Sequence, residues 1–298
     1  MKRLSFLQRS SLCALLLSSL ALTAQAQTNQ PFEGVLVYHS LENNNKATIR
    51  LSQGLAYNGV RNNEIIIKGN NIHIQDMSMH LHTIVNLDKD SVYFYSDVIN
   101  RGIRYEAQSY IEELMMQYSP DYKQVAGYMV IATSEQSLEK VKVNDYQIVK
   151  TDEQRDFMGM KNDVYRGPII CRTLTTDFEV WAAPDFEVTP TLKYFLNGIE
   201  YKGLPTKYVW DSKGRIPLVG DLQSYSANEL QSITPRPVAD SEFLPPAGCE
   251  IIDGDNSGFK RLRITKDNTK YLKKNKMYPT DAEVESDVQY KIDDEWDF

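Results

Sequence analysis

The residue types able to do chemistry are few in this chain. Beyond residue 26 there are four histidines, His39, His73, His80 and His82. His80 and His82 stand two apart, so a strand puts both imidazoles on one face, where they could share a metal ion. The neighbouring thioethers of Met77 and Met79 would favour a soft ion such as Cu(I). A regular strand turns those methionines to the opposite face, and a competent site takes three or four ligands. Histidines on the wetter face of a sheet are therefore the expectation. No metal or cofactor is expected, and His80 and His82 are the only metal candidates.

The run Asp253-Gly254-Asp255-Asn256-Ser257-Gly258 resembles the first half of a calcium loop. Its twelfth position falls on Ile264, where a bidentate acid is required, so a turn is expected. There is no Gly-x-Ser-x-Gly, His-Glu-x-x-His, glycine-rich phosphate loop or Cys-x-x-Cys. Acid pairs such as Glu112-Glu113 and Asp293-Asp294-Glu295 lie in polar stretches and read as solvated charge. No catalytic residue is assigned, and the expectation is a protein that is not an enzyme.

The elements that must position these residues are mostly strands. Ala47, Ile49 and Leu51 alternate with polar neighbours. Ile65 to Ile67 and Ile72 to Ile74 flank the turn Lys68-Gly69-Asn70-Asn71. Met77, Met79, Leu81, Thr83 and Val85 line one face of the next strand, with Ser78, His80 and His82 on the other. Asp88-Lys89-Asp90 turns the chain into Val92 to Tyr95, and Asn100-Arg101-Gly102 turns it again towards Ile103 and Tyr105. Short runs of β-branched and aromatic residues divided by Asn, Asp and Gly read as an antiparallel meander. Helical spacing is seen in Tyr110 to Tyr118, and more weakly in Ser134 to Lys142. Further strands are expected to the end of a domain spanning 27–258, including one at Thr191 to Phe195.

Residues 1–26 have the order of a secretory signal: cations at Lys2, Arg3 and Arg9, an apolar centre at Leu15-Leu16-Leu17, and Ala24-Gln25-Ala26. Cleavage is expected after Ala26, which places the protein in the periplasm or outside the cell with no transmembrane segment. The loss of three cations takes the formal net charge from -7 to -10. Nucleic acid is then an unsuitable partner, because phosphate contacts call for clustered Lys and Arg. Cys171 and Cys249 are the remaining thiols; in an oxidising compartment they form one disulfide, or stay as two buried thiols, or bridge to another chain. From residue 259 the composition changes. Lys260 to Lys276 holds eight cations and one acid, and Asp281 to Asp297 holds eight acids and one Lys. Such blocks read as a charged extension, 259–298, that is disordered or docks on a partner.

Several motifs occur in a consistent order: Phe32-Glu33-Gly34-Val35, Asn86-Leu87-Asp88-Lys89-Asp90, Glu179-Val180-Trp181-Ala182-Ala183-Pro184-Asp185, Lys202-Gly203-Leu204-Pro205 and Phe243-Leu244-Pro245-Pro246-Ala247-Gly248. Together they resemble a family of secreted bacterial proteins of unknown function, similar to the lipoprotein-carrier (LolA-like) superfamily. The competing resemblance is to exported proteins marked by an extended Gly-Leu-Pro motif. The first resemblance implies a mostly β, α+β fold, with a curved antiparallel half-barrel around one or two helices and an apolar cavity. It makes the expected function non-catalytic binding of an acyl chain or lipid-like ligand, on the apolar face Met77, Met79, Leu81, Val92 and Phe94. The alternatives are an envelope protein–protein interaction module using the charged tail, and a metal-handling protein.

Overall fold

A computed structural model describes residues 32–51, 58–110, 145–146, 148–171, 174–189, 192, 201–216, 220–254 and 259–279. In chain order its elements are β1 (Gly34–Asn44), α1 (Lys46–Leu51), β2 (Gly59–Lys68), β3 (Asn71–Asp76), β4 (Leu81–Asn86), β5 (Ser91–Ser96) and β6 (Arg101–Glu106). There follow β7 (Asp145–Tyr146), β8 (Val149–Phe157), β9 (Met160–Cys171), β10 (Leu174–Ala183), β11 (Leu204–Ile216), β12 (Gly220–Pro235), β13 (Glu250–Asp253) and α2 (Phe259–Lys274). The protein is mostly β, as its composition indicates. Among the described residues, thirteen strands join one sheet in the order β13-β6-β5-β4-β3-β2-β1-β12-β11-β10-β9-β7, with β8 also on β9. Every pairing among these described strands is antiparallel except that of β13 with β6.

The β2 to β6 meander forms where turn residues divide the apolar runs. Gly69, Asp90 and Asn100 all take positive φ, the left-handed region that Gly, Asp and Asn tolerate best. Before β5, Asn86 caps a short 3-10 turn by accepting from the Lys89 amide at 3.1 Å. The registers Ile65↔Ile74 and Ile67↔Ile72, then Ile74↔Thr83 and Ile72↔Val85, align one face of the meander. With Leu36, Tyr38, Val180, Leu204, Tyr208 and Leu230 from the other half of the sheet, that face holds the largest buried cluster. On the opposite face Val35, Ile66, Ile84 and Tyr95 are covered by Val238 and Phe243. These two come from the segment between β12 and β13, which crosses the sheet and includes a 3-10 turn at Asp240–Phe243.

Three expectations are corrected. The alternating run at Ala47 to Leu51 is the helix α1, not a strand. Asn45 accepts from the Thr48 amide through its side chain at 2.9 Å and from the Ile49 amide through its carbonyl at 3.0 Å, and this N-cap outweighs a period of two carried by only three apolar residues. Residues 77–80 are a turn, so the strand expected to begin at Met77 begins at Leu81. Asp76 Oδ1 accepts from the amides of Ser78 (3.1 Å) and Met79 (2.9 Å) and closes that turn. Thirdly, the basic part of the extension is the ordered helix α2, packed on β5 and β6. Its Ile264, Thr265, Asn268, Thr269 and Leu272 are buried, at spacings that form one helical face.

Other expectations fall on residues outside the described ones. Residues 107–110 are helical, while the rest of the Tyr110 to Tyr118 helix and the Ser134 to Lys142 helix lie outside. So do the signal segment, the strand at Thr191 to Phe195 apart from Leu192, Glu112-Glu113, and the acidic block with Asp293-Asp294-Glu295. Among the described residues, no helix is long and apolar enough to cross a membrane.

Candidate functional site

The apolar residues singled out for ligand binding separate. Met77 is 52% exposed on its turn, whereas Met79, Leu81 and Phe94 are buried together with Ile103. Val92 lies in a different cluster, with Val85 and Ala107. The Met79–Leu81–Phe94 group is covered by α2, through Ile264 and Leu272. Asn268 fixes the helix there: its side-chain amide donates to the Met79 carbonyl at 2.8 Å and its oxygen accepts from Ser96 Oγ at 2.8 Å. The Arg261 guanidinium lies 4.6 Å from the centre of the Phe94 ring. Ile264, the twelfth residue of the calcium-like run, is therefore a core side chain.

The opposite face brings together groups that the sequence left scattered. Gln75 pairs with His82, and His73 with Ile84, so His73 and His82 are diagonal neighbours on one face of the β3–β4 hairpin. His73 Nε2 and His82 Nδ1 are 3.1 Å apart. The register sets His82 against Tyr95 on β5, and the two rings stack with centroids 4.5 Å apart and planes 4° from parallel. Asp97, just beyond β5, reaches back: its carboxylate is 3.3 Å from His82 Nε2 and 3.3 Å from His80 Nδ1. His80 and His82 thus meet through Asp97, as two imidazoles on one carboxylate. His80 belongs to the turn, with φ +55°, and the imidazole beside His82 is that of His73.

The crossing segment walls this cluster. Ser241, Glu242, Leu244 and Pro246 face Ile66, His73, Gln75, His82, Tyr95 and Asp97 across a pocket of about 380 Å³. Arg236 holds Glu242 with two hydrogen bonds, at 2.9 and 2.6 Å, and keeps its carboxyl below the usual range. His73 is only 6% exposed. Burial, reinforced by the neighbouring His82, lowers its pKa to about 4, against a weaker pull from the backbone and charge of Glu242. Burial also lowers His82, and Asp97 opposes that shift. Both rings are consequently neutral at pH 7, and His73 Nδ1 makes no hydrogen bond of good geometry, the Glu242 backbone lying beside the ring. Such a pocket can accept a hydrogen bond from a ligand, or donate a nitrogen lone pair to one.

No family model matches this chain, and no curated protein matches it. It is similar to a solved structure described as "Structure of PNGF-II in P21 space group", with 13% identity and a TM-score of 0.39. The match covers 78% of this chain and 33% of that chain, so this chain spans about a third of that protein's length. At that identity and score the likeness assigns neither fold nor activity.

Cys249 is a free, half-buried thiol packed in the cluster with Tyr95, and burial raises its pKa. The Cys171 side chain lies outside the described ones, and with it the proposed pairing. A larger hollow, about 510 Å³, is lined by Asp90, Arg104, Tyr105, Glu106, Tyr110 and Asp253 among others. Sequence reasoning missed Asp97, Glu242 and the His73–His82 contact. The hairpin register about the 77–80 turn would have placed His73 diagonal to His82. Nothing local signals Glu242, which arrives from 160 residues further along the chain.

Proposed function

We propose that this chain is an exported, non-catalytic binding protein of the periplasm or cell surface. Its ligand, a small polar solute, occupies the pocket between the β3–β5 face and the crossing segment. The observation that supports this reading is His73: a neutral imidazole that is almost wholly buried, lines a pocket, and has a nitrogen without a well-formed hydrogen bond. A buried polar atom left unsatisfied costs roughly 1–3 kcal/mol, and a ligand that hydrogen-bonds to it recovers that. The two acids lining the pocket are already engaged, Asp97 by imidazoles and Glu242 by Arg236, which favours recognition over acid–base turnover. The test is native mass spectrometry of protein expressed with its own signal and taken from the envelope. A bound mass present in wild type and absent in Leu244→Trp, which fills the pocket, is the expected result. Wild type without any bound mass would sink the reading.

A second reading has its own support. The LolA-like half-barrel with an acyl ligand puts the apolar chain where α2 lies, over Met79, Leu81 and Phe94. Among its described side chains, the buried face of α2 carries Thr265, Asn268 and Thr269 beside two fully buried apolar residues, Ile264 and Leu272. A face so polar suits a displaceable plug better than a permanent core layer. Lipid probes would then bind more tightly once α2 is loosened by Ile264→Asp; equal binding in both proteins would remove this reading.

A further inference from the structure

α2 carries positive charge that its described surroundings do not meet. Of the eight cations between Lys260 and Lys276, two are engaged. Lys260 donates to the Asp253 carbonyl at 2.6 Å, and Arg261 donates to Tyr110 Oη at 3.1 Å and lies over Phe94. The other six, Arg263, Lys266, Lys270, Lys273, Lys274 and Lys276, are exposed. Lys273 stands 4.6 Å from the centre of the Tyr278 ring, and none of the six forms an ion pair with a described residue. Asp267, the one acid of the stretch, pairs with Arg101. Arg263, Lys266, Lys270 and Lys274 follow one another at steps of three and four residues, so they make one stripe along the helix and repel each other. The first turn of α2 has no acid, where the helix dipole favours one.

The opposite charge comes next in the chain. Lys260 to Lys276 holds eight cations against one acid, a net of seven positive, and residues 281–297 hold eight acids against one Lys, a net of seven negative. Between the two blocks the chain reverses. Lys276, at φ +57°, donates its amide to the Lys273 carbonyl at 3.3 Å, and the Met277 amide donates to the Leu272 carbonyl at 2.9 Å. This is the bond pair of a Schellman motif. It returns Tyr278 to the Met79–Leu81–Phe94 cluster and to Lys273, so the chain beyond Pro279 sets out from beside the last turn of α2. The helix is about 24 Å long, and seventeen residues reach roughly 25 Å even at the helical rise and further when extended.

We propose that residues 281–297 dock on the exposed cationic face of α2 in the same chain, running antiparallel to the helix. Asp293, Asp294 and Glu295 then meet Arg263 and Lys266, at the end where the dipole adds to the attraction. A tether this short gives an effective concentration of millimolar order, which favours the chain's own acids over those of a second copy. The docked segment lies outside the helix that covers Met79, Leu81 and Phe94, and clamps it there.

The experiment is competitive acetylation of lysines in the full exported chain, read by peptide mass, with Lys161, exposed on β9, as the reference. Lys266, Lys270 and Lys274 should react about threefold or more slowly at about 20 mM salt than at about 500 mM, where exposed charges are screened. Asp293→Asn, Asp294→Asn and Glu295→Gln together should free Lys266 and leave Lys274 slowed. Rates no slower at low salt in wild type, or slowing of Lys266 that survives the triple variant, overturn the proposal. Should that variant fail to fold, carbodiimide coupling of mixed isotope-labelled and unlabelled wild-type chains decides. Links from residues 281–297 to the α2 lysines should join like-labelled peptides alone. No such links, or links between labelled and unlabelled chains in the proportion of random mixing, overturn it.

Discussion

His73 carries the most chemical information of any single residue described. Its depressed pKa means that the unfolded chain binds a proton that the folded chain refuses. Stability is therefore complete above about pH 6.5, the ordinary value, and falls as the pH drops towards about 4. Over that interval the protein should lose about 3 kcal/mol of unfolding free energy through this residue. Urea unfolding at pH 7 and at pH 4.5 measures it against His73→Gln, which should show a visibly flatter profile. Parallel profiles would mean that the imidazole is less buried than described. How little of this was legible in the sequence has a physical cause. His80 and His82 attract notice because they are close in sequence, but the Asp76 turn rotates His80 off the strand face. The partner of His82 is nine residues away in sequence and becomes a neighbour only through the hairpin register. Gly203 shows the reverse. It stands in the Lys202-Gly203-Leu204-Pro205 motif, and its role is steric: φ is +90° and a Cβ there would stand 1.8 Å from the Ala183 carbonyl oxygen. Gly203→Ala should cost on the order of 3 kcal/mol, visible as a lowered thermal midpoint; an unchanged midpoint would mean that the β10–β11 connection relaxes freely.

At the scale of elements, the meander from β2 to β6 was readable because each turn is closed by residues adjacent in sequence. The Gly, Asn and Asp positions identify themselves, and the isoleucine pairs follow in register. α1 and α2 were not readable, for different reasons. α1 depends on one capping side chain, Asn45, which overrides a short alternating pattern. α2 looks like solvated charge because its exposed face holds Arg263, Lys266, Lys270, Lys273 and Lys274, while polar residues occupy much of its buried face. Asn268 compensates for that polarity by bonding to both Ser96 and Met79. Removing it strands a buried carbonyl and a buried hydroxyl, so Asn268→Ala should destabilise by roughly 2–3 kcal/mol. Much of the loss should appear as opening of α2 alone. Hydrogen exchange of the α2 amides should then accelerate well beyond that of β4 and β5, together with increased dye binding at Met79, Leu81 and Phe94. Uniform acceleration across the sheet would instead make α2 part of one cooperative unit.

For the molecule as a whole, the crossing segment between β12 and β13 couples stability to the site. It caps the cluster of Val35, Ile66, Ile84 and Tyr95 with Val238 and Phe243, donates a wall to the His73–His82 pocket, and then pairs β13 in parallel with β6. Phe243 is 1% exposed, and its carbonyl accepts from the Asn86 side chain at 3.0 Å. Phe243→Ala should cost about 3–5 kcal/mol by the cavity it leaves. The same substitution loosens the wall and admits water to His73, which removes the cause of its depressed pKa. Two effects should therefore appear together: a lower urea midpoint at pH 7, and a reduced loss of stability between pH 6.5 and 4. NMR titration of the His73 ring in the variant would show its pKa returning towards 6.5. If the midpoint falls while the His73 titration stays near 4, the segment stabilises the sheet without controlling the pocket, and the coupling between fold and site must run through β3 and β4 instead.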